Sequence, residues 1–147
     1  MADSTVVALV FEDEEAAERL FNTLEETLKA ESFPVDNAAV ATYRQNGEVI
    51  VKQWSRPTSE NGFYPQQWEF LIKTVLSGWG YHIDDWSIET FKQVFQPGTS
   101  AFFSLVKPYA SRDIIIKLRQ FNGNLIYAGL TEEQKVMLKA AASNSSS

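Results

Sequence analysis

The stretch Ser77-Gly78-Trp79-Gly80-Tyr81-His82-Ile83-Asp84-Asp85-Trp86 gathers the single histidine of the chain, two adjacent carboxylates, a tyrosine and two of the four tryptophans. These residue types can do chemistry. An imidazole titrates near neutrality and can act as a general base, with a neighbouring carboxylate to orient it. The same groups can ligate a metal. A short linear cluster, however, seldom supplies the geometry of a dyad, and a metal site needs further ligands. Asp84 and Asp85 stand where a helix begins, and a carboxylate there accepts the first free backbone N–H groups. The stretch therefore reads as a turn and a helix cap. No catalytic residue, metal ligand or cofactor is assigned.

The aromatic residues pose a second question. Trp68 and Trp79 share one helix face, Trp86 opens the next helix, and Tyr81 and His82 lie between. A set such as Trp68, Trp79, Tyr81, His82 and Trp86 could stack a ring-shaped ligand, with His82, Tyr64 or Tyr81 as its polar contact. Aromatic stripes are more often core or oligomer contact, because burial of a large ring is favourable and tryptophan is enriched at interfaces. Core and interface is the leading reading, and the ligand pocket its alternative.

Hydrophobic periodicity places these residues on elements. Val6 to Phe11 is continuously apolar and β-rich, which predicts a strand buried on both faces. Ala16, Ala17, Leu20, Phe21, Leu24 and Leu28 then recur at helical spacing, so Glu12-Asp13-Glu14-Glu15 is expected in the first helical turn, favoured there by the helix dipole. Ala38 to Arg44 and Glu48 to Trp54 read as two strands joined at Gln45-Asn46-Gly47, a strong hairpin signal. Trp68, Leu71, Ile72, Val75, Leu76 and Trp79 form a one-sided helical stripe behind Pro65, which suits the first helical turn. A third helix is predicted over about Trp86 to Gln96, ended by Pro97-Gly98. Ala101 to Val106 is the next strand. Ser111 is expected to cap a helix carrying Ile114, Ile115 and Leu118. Leu125 to Ala128 is the last strand, and Thr131-Glu132-Glu133-Gln134 fits a capping box opening a final helix.

Residues 5–44 and 100–129 share the plan strand, helix, strand. Two such right-handed units interleave into a ferredoxin-like (split βαβ) antiparallel sheet. The reading is an α+β fold of about five strands, with the hairpin strand at one edge, a two-helix insertion at about 63–96 and a C-terminal helix. One domain spans 1–142, and 143–147 form a disordered tail.

Composition bounds the function. The 147 residues are 44% hydrophobic, enough for a core. The net charge is −6 and the 13 Lys and Arg are scattered, which argues against nucleic acid. With no cysteine, disulfide and thiolate chemistry are excluded, and a cytoplasmic location is expected. The start Met1-Ala2-Asp3-Ser4-Thr5 lacks the basic opening of a secretory signal. Membrane contact is not expected, since the stripe from Trp68 to Trp79 has few basic residues on its polar side.

Three stretches carry a resemblance to a known group. They are Val7 to Ala17, then Ile83-Asp84-Asp85 running on to Gln96-Pro97-Gly98-Thr99-Ser100-Ala101 and Val106, and Gly123 to Gln134. In these the chain resembles a bacterial family of small proteins grouped as a domain of unknown function and often described as membrane proteins. The resemblance implies a stress- or envelope-related setting and no accepted activity. Members carry a Gly- and Ala-rich apolar hairpin before the Ile-Asp-Asp stretch. Here Phe63 to Trp79 is amphipathic, with Glu69 and Lys73 on its polar side.

The leading expectation is a non-catalytic, self-associating module, a homodimer or larger homo-oligomer or one that contacts another protein. The insertion stripe and Val136, Met137 and Leu138 are expected to be more apolar surface than one small sheet can bury. The alternative is a ligand-binding protein or enzyme of the dimeric α+β-barrel type.

Overall fold

A computed structural model describes residues 4–30, 35–55, 62–76 and 85–145. The elements are β1 (Ser4–Phe11), α1 (Ala16–Ala30), β2 (Val35–Tyr43), β3 (Val49–Trp54), α2 (Pro65–Leu76), α3 (Asp85–Val94), β4 (Thr99–Val106), α4 (Ser111–Leu118), β5 (Asn124–Leu130) and α5 (Glu132–Ser145). A short 3₁₀ turn, Pro108–Ala110, leads into α4. The five strands form one sheet in the order β3-β2-β4-β1-β5. Every pairing is antiparallel. β4 thus lies between the parallel strands β1 and β2, and β1 between β4 and β5. This is the interleaved βαβ connectivity expected from the sequence, with the hairpin strand β3 added at one edge.

The hairpin turns as its sequence demands. Gly47 takes φ of 92°, a region open to glycine, and its N–H donates to the Arg44 carbonyl at 2.9 Å. At the other edge, a side-chain atom on Gly123 would lie 2.9 Å from Leu9, so only glycine lets this turn close onto β1.

Two apolar layers fill the two faces. On one face α1 and α4 bury Leu20, Phe21, Leu24, Ile114 and Leu118 against Val7, Leu9, Val40 and Phe102. On the other, α2, α3 and α5 bury Trp68, Leu71, Ile72, Phe91, Phe95 and Leu138 against Ala8, Val10, Ala39, Phe103 and Ile126. β1 and β4 carry both sets, which explains the unbroken apolar run Val6 to Phe11 of β1 and the burial of every residue of β4.

Several expectations need correction. The acidic cluster precedes α1 instead of forming its first turn. Asp13 Oδ1 accepts the N–H groups of Glu15 at 2.8 Å and Ala16 at 2.6 Å, so the carboxylate satisfies donors that the helix cannot. Ser111 is not the cap of α4: Ala110 holds that position without a side-chain bond. The 3₁₀ turn runs directly into the helix, and Ala110 N–H already donates to Lys107 at 2.9 Å. The second face of the sheet is closed by the insertion and α5 of the same chain. Trp68, Leu71 and Ile72 of the insertion stripe are buried there within the chain, while Trp79 and the side chains of Val75 and Leu76 lie outside the described residues. Within α5 Leu138 is buried, while Val136 and Met137 stay exposed, part of the apolar surface that, on the sequence, one copy is not expected to bury. α5 also continues to Ser145, into the segment read as a tail.

Candidate functional site

The insertion is fastened to the sheet by a buried amide. Asn37, near the start of β2, donates from Nδ2 to the Phe63 carbonyl, and its Oδ1 accepts the Phe63 N–H at 3.2 Å. The side chain thus imitates a strand neighbour for a residue 26 positions away. Ser55 closes the adjoining corner, its N–H donating to the Ala38 carbonyl and its Oγ accepting the Ala38 N–H, both at 2.8 Å. α2 then starts as the sequence requires. Pro65 fills the first position, and Gln67 Oε1 accepts the Tyr64 N–H at 2.8 Å.

This anchoring drops Trp68 into the core with 0% exposure. Its ring meets Phe63 edge-on at 5.2 Å and Phe103 at 5.9 Å. Phe91 stacks on Phe95 at 4.9 Å and meets Phe103 at 5.8 Å, and Tyr43 lies 5.3 Å from Phe95. The result is one continuous aromatic layer between sheet and insertion. Among the described residues the buried Trp68 indole N–H finds no hydrogen-bond partner.

Of the five residues read as a ligand set, Trp68 alone has a described side chain, and it belongs to this layer. Trp86 enters as backbone in the first turn of α3. Trp79, Tyr81 and His82 lie outside the described residues, as does Asp84. Asp85 is the first residue of α3. Among the described residues no group of three or more His, Asp or Glu is placed to hold a metal ion. Glu12 to Glu15 is accordingly a capping and surface feature. The Asp13 carboxyl is held below the usual aspartate range, first by the hydrogen bond from the Glu15 backbone; partial burial opposes this, and Ala16 N–H and Arg19 add to it.

Two polar positions went unread in the sequence. Ser100 is wholly buried, its Oγ donating to the Asp13 carbonyl at 2.7 Å and accepting the Ala17 N–H at 3.1 Å. It locks the start of α1 onto β4. Lys135 is 2% exposed, donating to Ser4 Oγ at 2.9 Å and lying 3.2 Å from the Glu132 carboxylate. A serine beside a lysine is also the pattern of an activated nucleophile. Here both groups are shut inside the core, where no substrate reaches them, so the pair fastens α5 to β1. Neither role leaves a local sequence signal, because each partner lies far along the chain.

Fold and site together define a three-layer α+β module, a ferredoxin-like sheet roofed on its second face by its own insertion. Residues 74–143 match a family described as "Protein of unknown function (DUF1269)". That match runs from the end of α2 into α5. It includes two of the three stretches that carry the sequence resemblance and leaves the first outside. No curated protein and no solved structure matches the chain. Among the described residues no helix is long and apolar enough to cross a membrane. α2 carries the Lys73–Glu69 ion pair at 2.6 Å on its open side.

Proposed function

We propose that the chain is a non-catalytic, self-associating α+β module. One observation carries this reading. Large apolar side chains stand open to water, and one group of them lies around α4 and the β5 edge. Tyr109 is 78% exposed, Ile116 52% and Tyr127 49%. Tyr127 shares the α1/α4 face with Leu125, which alternation along β5 places there. Open rings and aliphatic groups of this size gain free energy when a partner covers them, at about 25 cal/mol per Å² of apolar surface removed from water. The test is light scattering at micromolar concentration. A mass twice the 16.6 kDa of the chain supports the reading, and a strict monomer refutes it.

A second reading, a small-ligand pocket under the insertion, draws on the Trp68 N–H, unpartnered among the described residues, since a buried donor without an acceptor is costly and a ligand could satisfy it. Phe63 and Phe103 would have to give way to admit one. Purified protein with an absorbance band beyond its aromatics, or a stoichiometric small molecule released on denaturation, would favour this reading over the first.

A further inference from the structure

The layer formed by α1 and α4 is electrically divided. Between residues 12 and 26 stand seven carboxylates against one cation, Arg19. Between residues 107 and 119 stand four cations, Lys107, Arg112, Lys117 and Arg119, against one carboxylate, Asp113. The chain as a whole carries −6, so this short stretch concentrates positive charge in an acidic protein. Both stretches lie on one face of the sheet, α1 over β2 and β4 and α4 over β1. Glu12, Asp13 and Glu15 are exposed, as are Arg112, Ile116 and Arg119.

The topology also fixes which ends correspond. β1 ends at Phe11 opposite Ser100, and α4 leads into β5, whose Asn124 pairs with Val10. The carboxylates from Glu12 to Glu15 and the guanidinium of Arg119 therefore sit at the same end of the layer. Glu25 and Glu26, far along α1, sit at the opposite end with Lys107 and Arg112. Each helix returns the chain against its preceding strand, so α1 and α4 run antiparallel.

We infer that this layer is the contact between two copies of the chain, α4 of each resting on α1 of the other. A two-fold axis along the groove between the helices exchanges α1 and α4 and leaves their ends in place. Arg119 then meets the Glu12–Glu15 end of the second copy, and Arg112 meets the end that carries Glu25. Ile116, midway along α4, supplies the apolar centre. The same contact forms twice, as a closed two-fold interface requires. Two chains of net charge −6 repel each other in any random approach. Segregated charge turns that repulsion into attraction in this one orientation. The inference rests on the self-association proposed above and names its surface.

The test uses two charge-reversed variants of the full chain. One is Arg119→Glu; the other is Glu12→Lys with Glu15→Lys. Neither touches a buried residue or the capping Asp13. Each alone sets like charges against like, and its dimer dissociation constant should rise at least about tenfold, since the reversed contacts occur twice. Mixed together, each variant offers what the other lacks, and a heterodimer should form at or below the wild-type dissociation constant. Native mass spectrometry separates the species, and recovery on mixing shows that both variants are folded. A wild-type monomer at all concentrations overturns the self-association reading itself. A wild-type dimer that ignores both variants leaves that reading standing and overturns this surface. Weakened variants that fail to pair on mixing also overturn it.

Discussion

Lys135 Nζ lies 2.9 Å from Ser4 Oγ, joining the first turn of the last helix to the first residue of β1. The pair spans 131 positions and is buried. An ammonium group cannot leave water without acceptors, and Ser4 and the Glu132 carboxylate both serve it. Its hydrocarbon stem meanwhile fills core volume.

From this follows a graded series. Ser4→Ala removes one acceptor from a buried cation and should cost about 1–3 kcal/mol. Lys135→Met keeps the stem, removes the charge, and should cost less than about 1.5 kcal/mol, since exchanging a buried ion pair for an apolar group is often neutral. Lys135→Ala leaves a cavity and should cost about 2–4 kcal/mol. Urea unfolding of the three variants measures the order, and a Met variant as damaged as the Ala variant would contradict this account.

The Asn37 clamp makes a sharper forecast. Asn37→Ala strands the buried N–H and C=O of Phe63, for a loss of roughly 2–4 kcal/mol. Asn37→Asp keeps the acceptor but loses the donor, and a buried carboxylate then faces a carbonyl. It should be no milder than alanine. Hydrogen exchange offers a local reading: the amides from Phe63 to Trp68 should lose protection before those of β1 and β4.

Trp68 should respond in an unusual way. Trp68→Phe deletes a buried N–H that has no partner among the described residues, which offsets part of the volume lost. The net change should stay within about 1.5 kcal/mol, whereas Trp68→Ala should cost about 3–5 kcal/mol. If phenylalanine proved nearly as harmful as alanine, the indole N–H would have to be bonded to something held in the core.

Acid should act through Asp13. Its folded-state pKa lies below the ordinary 3.8, so the charged form is preferred in the native state. The stability this contributes is complete above that ordinary value and is lost as pH falls through the lower folded value. Asp13→Asn keeps an acceptor for the cap but cannot titrate. Melting temperatures of the two proteins should differ most near neutral pH and converge below pH of about 3.8. Parallel curves over that range would remove Asp13 from the acid response.

Much of the fold was legible because its signals are local. The Asn46-Gly47 turn, the unbroken apolar run of β1, the largely apolar run of β4 and the Thr131–Gln134 capping box each read from a few neighbouring residues. The box forms as expected, Thr131 Oγ1 accepting the Gln134 N–H at 3.1 Å and Gln134 Oε1 the Thr131 N–H at 2.8 Å. The stripe on α2 declared a buried face but not what buries it. Its own sheet and a second copy satisfy the same periodicity equally, and the choice falls to the chain path, through Asn37 and Phe63. Lys135 is harder still: a lysine in a helix with charged neighbours looks like surface, and only the arrival of Ser4 makes it core. The ligand set around His82 was a cluster in sequence; of its members, the structure gives a place in the core to Trp68.

The central pairing of the sheet, β1 with β4, joins residues as remote as Val7 and Ser104. This pair cannot form until nearly two thirds of the chain has been looped back, whereas β4 meets β2 across a shorter loop, Val40 facing Phe102. The β2–β3 hairpin closes over a few residues and can form in microseconds, whereas a sheet dominated by such distant pairs folds in milliseconds to seconds. Closure entropy rises only with the logarithm of loop length, about 0.6 kcal/mol for each doubling. A segment the size of the α2–α3 insertion can therefore enter this loop with little effect on the cost of closing it, and the roof over the second face comes at small entropic expense to the sheet beneath.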